Sequence, residues 1–122
     1  MHGDIDLTVY RTPVELTSTA YFEIGPGRYN GKHWQPGFAF LSEDAFDIAE
    51  PIFVRHDPQF DHYGMNDIER SVGMAIAADL RTGAFAASAY RDAPAVRAML
   101  NSLADVMETA YSASDYACVL GL

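Results

Sequence analysis

Between His56 and Asp67 the chain reads HDPQFDHYGMND, which sets two imidazoles and three carboxylates among aromatic residues and turn formers. His56, Asp57, Asp61 and His62 are of the types that ligate zinc or iron. A helical pair of metal histidines, however, stands four positions apart on one face, whereas His56 and His62 are six apart across Pro58. No cysteine cluster accompanies them, so no metal or other cofactor is expected. Ser71, Ser88, Ser102 and Cys118 lack the strand-turn-helix setting of an activated nucleophile. Asp57, Asp61 and Asp67 are the carboxylates that glycoside chemistry would draw on, yet a chain this short offers little room for the concave cleft such chemistry needs. Gly25-Pro26-Gly27-Arg28 is followed by further loop and not by a helix whose amides could cradle a phosphate.

A loop accounts for the same residues. Asp57 before Pro58 is disfavoured from helix, Gly64 permits reversal, and Asp61 can bond back to nearby amides. Phe60 and Tyr63 are then free to pin the loop to the core. The surplus of acid around it calls for a second explanation. Of the formal net charge of −9, most lies between Glu43 and Glu69, where eight carboxylates meet one arginine. Such a field repels nucleic acid and anionic membrane and speeds encounter with a basic partner.

The elements that must position these groups follow from periodicity. Ile5–Tyr10 alternates as a half-buried strand, and Glu15–Ile24 is its expected hairpin partner, with Pro13 near the turn. Residues 25–37 form a glycine- and proline-rich loop containing Tyr29 and Trp34. Phe38–Leu41 reads as a short strand, and Ser42 as the N-cap of a helix with Glu43 and Asp44 in its first turn. Phe46, Ala49, Ile52 and Phe53 give that helix its inner face, and Pro51 is expected to kink or split it. Asn66 and Glu69 match a capping box opening a second helix with Ile68, Val72, Ile76 and Leu80 inside and a stop at Gly83. A third helix is expected from Asp92, with Pro94 in its first turn and Val96, Met99, Leu100, Leu103, Met107 and Ala110 buried. Tyr116–Leu120 is expected as a last strand beside the N-terminal hairpin.

The expected architecture is α+β: a small antiparallel sheet packed with about three helices in one domain, residues 1–122. Apolar residues are 49% of the 122, enough to bury a core at this length. A single cysteine, no signal-like leader and no long apolar run point to a cytoplasmic protein that neither enters nor crosses a membrane.

Gly37-Phe38-Ala39-Phe40-Leu41-Ser42-Glu43, then Ala45-Phe46, Pro51-Ile52, Phe60-Asp61-His62-Tyr63-Gly64 and a capped helix from Asn66, together resemble small cytoplasmic immunity proteins of bacterial polymorphic-toxin and contact-dependent growth inhibition systems. The likeness covers residues 37–82 and is one of pattern. It implies a protein that is not an enzyme and that neutralises a cognate toxin domain, often a nuclease, by tight binding. A nuclease must present positive charge, so Glu43, Asp44, Asp47, Glu50, Asp57 and Asp61 are the expected partner-binding carboxylates, with Tyr63 and Trp34 as aromatic anchors and Tyr29 a further candidate. Two other functions stay open: a small metal-dependent or ligand-binding enzyme using the His56–His62 loop, and a structural subunit self-associating through its last helix. Monomer and homodimer are both compatible with the sequence.

Overall fold

The computed structural model describes residues 6–11, 21–32, 35, 37–85 and 93–121. Seven elements follow in order: β1 (Tyr21–Pro26), β2 (Ala39–Ser42), α1 (Glu43–His56), β3 (Met65–Glu69), α2 (Arg70–Phe85), α3 (Ala93–Ala113) and β4 (Tyr116–Leu120). The strands form one sheet in the order β2-β1-β4-β3 with every neighbouring pair antiparallel. With the three helices this is the expected α+β class.

Phe22, Ile24, Leu41, Ile68, Ala117 and Val119 carry one sheet face into a core shared with all three helices. Phe22 stacks on Phe46 at 4.1 Å between ring centroids, and Phe46 lies 5.0 Å from Phe53. Full burial of each such ring contributes roughly 1.5–3 kcal/mol. On the opposite face Tyr21, Phe38, Phe40, Cys118 and Leu120 form a smaller apolar cluster. Arg81 ties α2 to α3 through Asp105 at 2.6 Å and Glu108 at 2.7 Å. No helix of the described residues is long and apolar enough to cross a membrane.

Several local expectations change. The expected hairpin between Ile5–Tyr10 and Glu15–Ile24 is not formed by residues 21–24, because both edges of β1 are taken by β2 and β4. Tyr10 instead makes an isolated antiparallel bridge with Phe40, and Leu7 and Val9 pack on the core; Pro13 and residues 15–20 lie outside the described residues. Ser42 caps α1 as expected, accepting from Ala45 N at 3.1 Å while donating to the Asp6 carbonyl at 2.7 Å. That helix runs through Pro51 without dividing. Pro51 is exposed, so water can reach the carbonyl its missing N–H leaves free.

The second helix begins at Arg70, after a strand where the capping box had placed a helix. Asn66 and Ile68 are buried while Met65, Asp67 and Glu69 are exposed, the period of two that pairing with β4 imposes. Glu69 itself is the cap, accepting from Val72 N and the Ser71 hydroxyl. Gly83 lies within α2 and stops nothing. Asp92 is outside the described residues, but α3 starts at the next position and buries every residue expected of it. β4 is a strand as expected, in the middle of the sheet between β1 and β3.

Candidate interaction site around His62

Helix α1 sets Glu43, Asp47 and Glu50 on one outer stripe, since steps of four and three residues return to the same side. The loop after α1 lays His62 across that stripe. Its Nε2 is 2.8 Å from Glu43 Oε2 and its Nδ1 is 2.8 Å from Glu50 Oε2. The ring is 17% exposed and meets Phe22 edge-on at 5.0 Å. Burial opposes the imidazolium, but the hydrogen bonds to Glu43 and Glu50 and their charges together outweigh it and raise the His62 pKa. Desolvation, then the neighbouring Glu43 carboxylate, also raises the carboxyl of Asp47.

The loop carrying His62 is held from several sides. Phe60 stacks on Phe46 at 5.6 Å, as the loop reading expects. Asp61 Oδ1 accepts from Tyr63 N at 2.9 Å, the expected Asx turn. Buried Asn66 accepts from Asp61 N at 2.8 Å and donates to the carbonyls of Asp61 at 2.9 Å and Val119 at 3.1 Å. Gly121 donates its N–H to the Gly64 carbonyl at 2.7 Å and lies so close to the His62 carbonyl that a Cβ would collide.

The candidate residues divide. Glu43 and Glu50 are bonded to His62, whereas Asp44 and Asp47 are exposed with no bonded partner among the described residues. Asp57 lies at the far end of α1, where with His56, Asp67, Ile68, Glu69, Val72 and Tyr116 it lines an open cleft of about 280 Å³. Asp61 is occupied in its turn. Tyr63 does not pin the loop to the core: it is 72% exposed, touching the His62 ring edge-on at 4.7 Å. Trp34 lies outside the described residues.

His56 and His62 go to different places. His56 Nε2 is 2.5 Å from Asp79 Oδ2, a contact that holds the Asp79 carboxyl below its usual range. The two histidines therefore share no ligand set. Among the described residues, those whose donor atoms do converge, within 4.8 Å of one another, are Glu43, Asp47 and His62. They could hold a divalent cation only if Nε2 gave up its proton and its bond to Glu43.

Two of the nucleophile candidates are engaged or covered. Cys118 is buried, its thiol pushed up to about 11 by desolvation, and Ser71 donates to Glu69. Ser88 is outside the described residues. Gly25 and Pro26 belong to β1, and Arg28 sits 4.2 Å over the Tyr116 ring. The clamp of His62 between two glutamates is absent from a reading by motif. Its only trace in sequence is a histidine following a run of carboxylates at helical spacing. Compared with family models, with curated proteins and with solved structures, the chain matches none.

Proposed function

We propose that this protein is a cytoplasmic immunity factor, a non-catalytic inhibitor that binds a cognate basic toxin domain through the outer stripe of α1 and the loop beside it. The observation that carries this reading is that Asp44 and Asp47 on α1, which have no bonded partner among the described residues, accompany an exposed aromatic, Tyr63, on a loop braced by Asp61, Asn66 and Gly121. Exposed carboxylates supply the field that steers a basic surface, and the exposed aromatic ring beside His62 supplies desolvated contact. A nuclease holds its substrate with the same positive surface, so occupation of that surface suffices to inhibit it without any reaction.

Affinity capture of the tagged protein from its own source bacterium, with mass spectrometry of what stays bound at moderate salt, tests the reading. One stoichiometric partner with a basic domain, whose toxicity the protein suppresses when both are expressed together, is the expected result. A captured toxin that kills equally well with and without the protein would refute it.

The convergence of Glu43, Asp47 and His62 favours one alternative, a metal-dependent protein with a site different from the His56–His62 pair. Titration calorimetry with Mn2+ and Zn2+ decides it: binding lost in His62→Gln supports the alternative, and no heat of binding removes it. Self-association through α3 has less to draw on, since Val96, Met99, Leu100, Leu103 and Met107 are already buried in the core.

A further inference from the structure

Among the described residues four large apolar side chains are conspicuously exposed, Tyr63 at 72%, Met65 at 60%, Val54 at 41% and Met74 at 40%. Single exposed apolar residues need no explanation. Val54 and Met74 lie in helices and Met65 in a paired strand; Tyr63 is the most exposed of the four and stands on a loop whose backbone is nonetheless held. Its own N–H is bonded to Asp61 Oδ1, Gly64 N to the Asp61 carbonyl at 3.2 Å, and the Gly64 carbonyl to Gly121 N. The preceding ring, His62, is fixed by Glu43 and Glu50 and abuts the phenol. An outward-facing aromatic on a braced loop loses little freedom when it is covered, which is the condition for an efficient anchor.

The charges around it are unequal. His62 offsets Glu43 and Glu50, and a ring nitrogen lies within 4.8 Å of an Asp47 carboxylate oxygen. Asp44 and Asp47 still face solvent without hydrogen bond or ion pair among the described residues. From Asp47 through His62 to Tyr63 the surface is therefore continuous, negative at one end and aromatic at the other.

We infer that Tyr63 is the anchor of the toxin interface, that it enters an apolar slot bordered by arginine or lysine on a basic protein partner, and that Asp44 and Asp47 pair with those cations. Glu43, Glu50 and His62 are positioning residues that hold the anchor in place. The inference rests on the immunity reading and narrows it to one end of α1. An arginine at the slot's edge would stack on the phenol while reaching a carboxylate, a pairing its planar cation favours over the lysine ammonium. Nucleic acid and anionic lipid lack the cations that this surface requires.

The test is photo-crosslinking in the source bacterium, using the full chain with a benzophenone amino acid at position 63 and, as controls, at positions 54 and 74. A single adduct from position 63 on a lysine- and arginine-rich segment, with none from the controls, is expected. An adduct on the captured toxin from position 54 or 74 but not 63 overturns the inference and leaves the immunity reading standing. Absence of adducts from all three overturns the inference, and affinity capture then shows separately whether any partner exists. With the captured partner in hand, Tyr63→Ala should speed dissociation by about tenfold or more, with Tyr63→Phe retaining most of the affinity. Asp44→Asn with Asp47→Asn should slow association and flatten its dependence on salt. An unchanged dissociation rate for Tyr63→Ala, in a protein whose melting temperature is unaltered, is the contrary result.

Discussion

His62 Nδ1 lies 2.8 Å from Glu50 Oε2, so a loop residue is bonded back to the helix stripe twelve residues before it. With Glu43 on the other nitrogen, one imidazole closes the loop over α1 and offsets two of the four carboxylates on that helix's outer side. The acidic surface is consequently smaller and better ordered than the run of acids in the sequence implies.

The raised pKa of His62 makes stability depend on pH in a stated direction. The folded state binds this proton more tightly than the unfolded chain, whose histidine titrates near about 6.5. The stabilisation is complete below that value and is lost as pH rises through the folded pKa. Urea unfolding at mildly acidic and mildly alkaline pH should show wild type weakening on the alkaline side, with His62→Gln showing a smaller loss. Equal losses in the two proteins would contradict the bridged imidazolium.

Charge reversal must respect the clamp. Asp47→Lys removes a carboxylate with no bonded partner among the described residues and should slow association with the proposed partner, whereas Glu50→Lys also breaks a bond to His62 and should lower stability besides. Stopped-flow association beside thermal unfolding separates them. A Glu50→Lys protein as stable as Asp47→Lys would argue against the clamp.

Asn66 is the buried connection between the loop and the sheet. Asn66→Ala leaves the Asp61 amide and the Val119 carbonyl short of a partner and should cost about 1–3 kcal/mol. Amide exchange should accelerate at residues 60–64 more than in α2. Uniform acceleration across both would show that Asn66 contributes no local bracing.

Gly73 on α2 lies against the Tyr111 hydroxyl, which donates to the Ile68 carbonyl at 2.8 Å. A Cβ at Gly73 would collide with that hydroxyl, and burial already keeps the phenol protonated far above its usual range. Gly73→Ala should therefore destabilise by roughly 1–3 kcal/mol, and Tyr111→Phe by about 1 kcal/mol. The double variant should lose somewhat less than the sum, because removing the hydroxyl relieves the closest part of the clash while the Tyr111 ring carbons still crowd the methyl. Strict additivity in denaturant unfolding would refute the contact.

Much of the architecture is legible in short windows of sequence. Ser42 with Glu43 and Asp44 announces α1, the apolar stripe from Val96 to Ala110 announces α3, and Tyr116–Leu120 reads as a strand. Caps and periodicities act over a few residues, so a local pattern suffices to determine them. The segment from Asn66 to Glu69 is different. It satisfies a capping box, yet pairing with residues 116–119 makes it a strand and buries Asn66 against Val119. The same holds for the candidate site: the sequence by itself determines that acids, two histidines and Tyr63 lie near one another along the chain. Only the tertiary structure sends His56 to Asp79, His62 to Glu43 and Glu50, and Tyr63 to solvent. Those outcomes depend on how the loop is trapped between α1 and the end of β4, contacts whose partners are up to about sixty residues away and which no local pattern encodes.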